Sequence, residues 1–197
     1  HGLYVVVRPP GVCPGGIKVD GYYQDYLLKV WDIVSSNTNI KKHSGQVSIE
    51  LANEPVNIYD ADSLESARAP YDFFQPIVDK IRANGFDGII WVPGTGWQSN
   101  YTCYKSNPIE GYNIGYAVHA YVGWYNNSDE NANGETFIQE FGKAVPVVNT
   151  NPVIITEVDW SPEKEGEGHY DEHGNWVPAN WGTWATGSTS KWGNAYK

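Results

Sequence analysis

The stretch SIELANEPVN, Ser48–Asn57, is a short apolar run that stops abruptly in an amide, a carboxylate and a proline, Asn53-Glu54-Pro55. A strand end without a task would more cheaply carry Gly, Ser or Asp. Its meaning therefore rests on how the other strands of the chain end. Five apolar runs recur, at Leu3–Arg8, Val47–Leu51, Gly88–Val92, Tyr116–Tyr121 and Val153–Val158. Each is rich in Val, Ile or Tyr and nearly continuous in its apolarity, the pattern of parallel strands buried on both faces.

Helical spacing separates most of these runs. Tyr22–Asn37 places Tyr23, Tyr26, Leu27, Val30, Trp31 and Val34 on one face, and Ala69–Asn84 does the same with Phe73, Phe74, Ile77, Val78 and Ile81 before Gly85 stops it. Glu135–Val148 reads as a third helix interrupted at Pro146, and Thr102–Tyr112 as mostly loop. Strands alternating with helices predict an α/β fold with a parallel sheet. No Gly-x-Gly-x-x-Gly or phosphate-binding loop follows a strand, which disfavours a nucleotide-binding doubly wound sheet. The expectation is a TIM (β/α)8 barrel, whose functional residues gather at the C-terminal strand ends.

Those ends are polar and aromatic: Arg8-Pro9-Pro10-Gly11, Asn53-Glu54-Pro55, Pro93-Gly94-Thr95-Gly96-Trp97, His119-Ala120-Tyr121 and Thr156-Glu157-Val158-Asp159-Trp160. A single strand-end glutamate is commonly a helix cap or a solvated residue. Two of them, with a His-x-Tyr pair between, point to chemistry. Carboxyls about 5–5.5 Å apart across a barrel mouth suit retaining glycoside hydrolysis, one as acid/base and one as nucleophile. Asn53 is placed to hold a substrate hydroxyl. His119 and Tyr121, two apart on one strand, point the same way and can hydrogen-bond the carboxylates.

Composition agrees with that chemistry and excludes others. The chain has 197 residues, enough for one domain spanning residues 1–197. Its net charge of −10 makes nucleic acid an unsuitable partner. No apolar run approaches the ~20 residues of a membrane span. No Met is present, so the stretch reads as a processed product or a piece of something longer, and no signal peptide is visible. Nine Trp and fourteen Tyr stand against five Phe, and flat rings with polar handles suit wet surfaces that stack on sugars. Trp97, Trp124, Trp160, Trp176, Trp181 and Trp184 all fall in polar, Gly- or Asn-rich segments.

The strand-end motifs resemble glycoside hydrolase family 5, the cellulase family of the large retaining-hydrolase clan. IELANEPVN, YAVHAYVGW and VIITEVDW resemble its fourth, sixth and seventh strand ends, IIWVPGTGWQSN its fifth and HGLYVVVRPPG its third. The resemblance covers most of the chain in the family's order. It implies Asn53 as the amide beside the acid/base, Glu54 as acid/base, Glu157 as nucleophile, His119 and Tyr121 as the sixth-strand pair, and Trp97 and Trp160 as sugar platforms. It implies a secreted, retaining endo-β-1,4-glucanase that acts on β-linked polysaccharide without a required cofactor. The alternatives are a mannanase, xyloglucanase or lichenase, or a barrel that binds polysaccharide without cleaving it. The chain departs from the family in ending its third strand in Arg8-Pro9-Pro10 where a His is usual. Only strands three to seven of the barrel are expected here, with the remainder coming from another segment or chain.

Three features stay open at this stage. Cys13 and Cys103 both follow predicted strands and read either as one disulfide or as two thiols. Asp129, Asn131, Asn133, Gly134 and Glu140 match the ligand spacing of a calcium loop, although an Asn- and Gly-rich lead into a helix has the same look. Tyr170–Trp176 reads as a hairpin with a Gly-centred turn.

Overall fold

The structure is a computed structural model and describes residues 2–10, 12–121, 123–126, 133–158 and 168–178. Its strands are β1 (Val5–Val7), β2 (Ile17–Lys18), β3 (Val47–Glu50), β4 (Ile58–Tyr59), β5 (Ile90–Pro93), β6 (Ile114–Ala120), β7 (Val153–Val158), β8 (Gly168–Tyr170) and β9 (Trp176–Pro178). Its helices are α1 (Tyr22–Ser36), α2 (Thr38–Lys42), α3 (Ala69–Ala83), the single turn α4 (Thr95–Gln98) and α5 (Gly134–Ala144). All five predicted apolar runs become strands of one sheet, in the order β1-β3-β5-β6-β7. The pairs β1–β3, β3–β5 and β5–β6 are parallel, with Val5 opposite Val47, Ile49 opposite Ile90 and Ile90 opposite Ile114. Among the described residues, no helix is long and apolar enough to cross a membrane.

The chain divides into two compact units, His1–Val118 with Val145–Ile154, and His119–Ala144 with Ile155–Lys197. In the first unit, α1 and α3 pack against each other. Leu27, Trp31, Phe73, Phe74, Ile77 and Ile81 are each at most 1% exposed, which agrees with the predicted apolar faces. The Trp31 indole N–H donates to the Leu51 carbonyl at 2.9 Å, satisfying the backbone just past the end of β3. The first unit also holds a pair that periodicity did not suggest: β2 and β4 are two residues each and run parallel.

One helix–helix contact has a specific chemical cause. Pro76 lies inside α3 and has no N–H to give the Asp72 carbonyl four residues back. The Gln24 side chain on α1 supplies the missing donor, at 3.1 Å to the Asp72 carbonyl and 2.7 Å to that of Phe73. Gly85, at φ +80°, ends the helical run as its sequence position suggests. Arg82 then ties the end of α3 to the segments entering β5 and β6, donating to the carbonyls of Gly88 at 2.9 Å and Tyr112 at 2.7 Å.

Two expectations need correction. β1 is not buried on both faces: Val5 is 46% and Val6 37% exposed, and the neighbouring Leu3 and Tyr4 are more exposed still. The reason is topological, since among the described residues β1 is the edge of the sheet, with β3 as its one neighbour. The helix predicted over Glu135–Val148 stops at Ala144, because Pro146 opens a separate 3-10 turn, Pro146–Asn149. In the second unit, β8 and β9 form the expected hairpin, closed by the Asp171 N–H to the Asn175 carbonyl, with Gly174 at φ +79°.

If Gln24 replaces the donor that Pro76 lacks, Gln24→Leu should destabilise the fold by about 1–3 kcal/mol, the cost of buried carbonyls left without a donor. Pro76→Ala restores the backbone N–H, so the same Gln24 change should cost less in that background. Urea unfolding of the four proteins measures this; equal costs in both backgrounds would contradict it.

Candidate active site

In the first unit the site is built where β3 ends. Leu51 and Ala52 are fully buried and Asn53 is 4% exposed, so the chain leaves the sheet with its amide still inside. The Asn53 Nδ2 donates to the Val12 carbonyl at 3.2 Å, while its Oδ1, also buried, has no donor among the described residues. Glu54 follows at φ +48° and is half-buried. A positive φ is uncommon for any residue except glycine, so something must hold this backbone.

The holding groups come from the segment after β5. In α4, Gly96, Trp97 and Gln98 all have left-handed φ, at +57°, +57° and +60°. The Gly96 N–H donates to the Val56 carbonyl at 2.9 Å and the Trp97 N–H to the Pro55 carbonyl at 3.1 Å. The Gln98 side chain, fully buried, accepts the Glu54 N–H on Oε1 at 2.7 Å. Its Nε2 donates to Glu50 Oε1 and to the Ala117 carbonyl, each at 3.0 Å. The Tyr101 hydroxyl reaches the same Ala117 carbonyl. Tyr101, Tyr104 and Tyr116 pack together behind α4 with ring centroids 5.0–6.2 Å apart. Burial pushes the Tyr104 phenol well up and that of Tyr116 up to about 12, so both stay neutral. Gly94 makes the close approach possible: a Cβ there would stand 2.8 Å from the Tyr101 ring.

The Glu54 carboxylate has a partner that sequence reasoning did not name. The Cys13 thiol donates to Glu54 Oε2 at 2.8 Å. The two cysteines are not bonded to each other; both are thiols. Gln98, Glu50 and Cys13 lie 44, 4 and 41 residues from Glu54, spacings that no local motif marks. The loop expected over Thr102–Tyr112 starts as a 3-10 turn, Thr102–Lys105, carrying Cys103 and Tyr104.

In the second unit the site is built from the ends of β6 and β7. His119 is fully buried, and Tyr121 and Glu157 are half-buried. The Tyr121 hydroxyl donates to Glu157 Oε2 at 2.6 Å, and His119 Nδ1 lies 3.5 Å from the same oxygen. The two-residue spacing thus aims both side chains at one carboxylate. Tyr125, at φ +55°, donates its hydroxyl to the His119 carbonyl at 3.1 Å, and its ring packs edge-on against Phe137 and Phe141. Trp124 sits against Tyr121 with centroids 5.1 Å apart.

The remaining candidates fare differently. Trp97 is 48% exposed on α4, available as a flat surface, and Trp176 is 43% exposed on the hairpin. Trp160, Asp129 and Asn131 lie outside the described residues. Of the calcium-loop candidates that are described, Asn133 accepts the Thr136 N–H on its side-chain oxygen at 3.1 Å, the geometry of a helix cap for α5. Glu140 accepts the Lys143 ammonium at 2.6 Å.

The two thiols should be separable by reactivity. Cys13 is exposed, whereas burial pushes the half-buried Cys103 thiol up to about 12. Only thiolate reacts, so at pH 8 a chromogenic disulfide reagent should modify one thiol rapidly and the second only after unfolding. Two equally fast thiols would contradict this environment for Cys103, and none would mean a disulfide.

Comparison with known proteins supplies the family. The family model for cellulase, glycosyl hydrolase family 5, matches residues 14–194. An endoglucanase of Halalkalibacter akibai is 27% identical over 206 residues, covering 93% of this chain and 25% of that protein. An endoglucanase of Bacillus sp. strain KSM-635 is 26% identical over 204 residues, covering 94% of this chain and 21% of its own. The chain therefore spans about a quarter or less of the length of these relatives. Among solved structures, the β-glucanase SdGluc5_26A of Saccharophagus degradans superposes with a TM-score of 0.63 at 20% identity, covering 84% of this chain and 50% of that one. The catalytic domain of Thermobifida fusca endoglucanase Cel5A gives a TM-score of 0.57 at 23% identity, with 87% and 50% covered. The parallel sheet and its helices are part of a (β/α)8 barrel, as the alternation of strands and helices predicts. With a match that runs from residue 14 to residue 194, this chain belongs to the cellulase family, glycosyl hydrolase family 5.

Proposed function

We propose that this chain carries the catalytic glutamates of a secreted, retaining endo-β-1,4-glucanase, with Glu157 as nucleophile and Glu54 as acid/base. The observation that carries the reading is the environment of Glu157. Its Oε2 takes a hydroxyl donor at 2.6 Å from Tyr121, within the roughly 2.5–2.7 Å range of charge-assisted O–H···O⁻ bonds. That contact and the nearby His119 ring orient the carboxylate, as an attacking group requires. Glu54 stands in a different setting, at a backbone-held strand end with a weak thiol donor on its carboxylate.

In the proposed reaction Glu157 attacks the anomeric carbon and Glu54 protonates the departing glycosidic oxygen. The glycosyl–Glu157 ester then breaks when Glu54, now a base, takes a proton from water. Two carboxyl groups and water suffice, so no cofactor is proposed. Asn53 offers its buried Oδ1 as acceptor for a sugar hydroxyl, and the exposed ring of Trp97 offers a stacking platform. β-1,4-Glucan is the proposed substrate class. It is supported by the endoglucanases at 26–27% identity and by the 25% identical β-glucanase solved in complex with cellotetraose. The exposed apolar edge at β1 supports a barrel completed by strands from another segment or chain.

In an active protein that contains this chain, Glu157→Ala should abolish hydrolysis of soluble cellulose, and azide should restore part of it with inverted product configuration. Full activity in Glu157→Ala would overturn the assignment. Preferred cleavage of mannan or xyloglucan would replace the substrate class, and binding without release of reducing ends would replace the activity. Tyr121→Phe removes one charge-assisted bond, worth about 1.5–3 kcal/mol, and should lower kcat/KM on the order of 10–100-fold. An unchanged kcat/KM would show that this hydroxyl plays no part.

A further inference from the structure

We propose that Gln98 is a positioning residue for the acid/base, holding Glu54 through its main chain. This inference rests on the assignment of Glu54 above. Gln98 is fully buried and its side chain makes three hydrogen bonds, to Glu54, Glu50 and Ala117. The chemistry fixes which end of the amide faces which group. The Glu54 N–H is a donor and demands Oε1; the Glu50 carboxylate and the Ala117 carbonyl are acceptors and demand Nε2. A glutamate at 98 would set an acceptor against both acceptors, and an apolar side chain would leave all three groups without this partner.

The arrangement has a cost that a plain core contact would not incur. Gln98 itself sits at φ +60° and Glu54 at φ +48°, each a sparsely populated backbone state that persists only when its surroundings over-determine it. The bond at 2.7 Å joins the Glu54 main chain to the Gln98 side chain. It fixes the direction in which the Glu54 side chain leaves the end of β3. An acid that must reach one glycosidic oxygen depends on that direction far more than the fold does. Ala117 keeps the Tyr101 hydroxyl as a second donor, so loss of the Gln98 amide does not strip that carbonyl.

The test uses aryl β-cellobiosides with good and poor leaving groups, in an active protein that contains this chain. A poor leaving group needs the proton from Glu54, whereas 2,4-dinitrophenolate departs without it. Gln98→Met keeps the length and volume of the side chain and removes its hydrogen bonds. We expect kcat/KM for the phenyl cellobioside to fall on the order of 10–100-fold, the scale of a small misplacement of a catalytic group, with the dinitrophenyl substrate nearly unchanged. A second construction guards against a folding defect. Gln98→Glu alone should be impaired, and adding Glu50→Gln, which reinstates an amide–carboxylate pair and keeps an acceptor for the Glu54 N–H, should recover part of the activity on the phenyl substrate, because the Ala117 carbonyl still faces an acceptor at position 98. Equal losses on both substrates in Gln98→Met, or no recovery in the paired exchange, would overturn the positioning role. Glu54→Ala is the reference. If it shows the leaving-group dependence and Gln98→Met does not, only this inference fails; if Glu54→Ala lacks the dependence, the acid/base assignment fails with it.

Discussion

The stitching of the β5 loop onto the end of β3 is the constraint on which the placement of Glu54 depends. Three consecutive residues, Glu54, Pro55 and Val56, are held by Gln98, Trp97 and Gly96 in reverse order. The magnitudes explain why the contact is so densely bonded. Left-handed backbone at Glu54, Trp97 and Gln98 costs on the order of 1–3 kcal/mol per residue. A hydrogen bond returns only about 0.5–1.5 kcal/mol net. The bonds alone therefore barely offset the strain. Burial of Gln98 and the packed tyrosines behind it make the alternatives worse, because a relaxed backbone would leave buried polar groups unpaired.

The surroundings of Glu157 follow from simpler rules. Alternation along β6 aims His119 and Tyr121 at the same side of the sheet, and both approach Glu157 Oε2. The buried His119 is in turn fixed at its carbonyl by Tyr125, whose ring is wedged among phenylalanines of α5. The carboxylates that react in the proposed mechanism thus sit on strand ends, while loop and helix residues set their orientation. In the proposed mechanism this division separates the invariant requirement, two oriented carboxyls, from substrate choice, which depends on exposed surfaces such as Trp97.

The sequence made the sheet legible because each strand was a continuous apolar run bounded by polar residues. β7 occupies the predicted residues, Val153–Val158, and α1 and α3 end within a residue of their predicted limits. The exposure of β1 was not legible, since an edge strand and a central strand can share the composition Val-Val-Val. The strand-end glutamates, the amide and the His-x-Tyr pair stood out in the sequence because each follows or ends a continuous apolar run. Gln98, Glu50 and Cys13 were not. Their contacts join segments far apart in the chain or depend on a left-handed turn that propensity does not announce. Asn133 shows how two readings share one spacing: a calcium loop and a capped helix look alike in sequence, and here its side-chain oxygen accepts the Thr136 N–H at the start of α5.

The central claim is that Glu157 forms a covalent bond to the sugar. The most direct measurement is mass spectrometry of an active protein that contains this chain, after incubation with 2,4-dinitrophenyl 2-deoxy-2-fluoro-β-cellobioside. The fluorine slows both formation and breakdown of a glycosyl-enzyme, and the activated leaving group restores the rate of formation alone, so the intermediate accumulates. The expected result is a gain of one fluorocellobiosyl group per chain, mapped after proteolysis to the peptide containing Thr156-Glu157-Val158. A label on Glu54, or the absence of any label while the enzyme turns over cellulose, would contradict it.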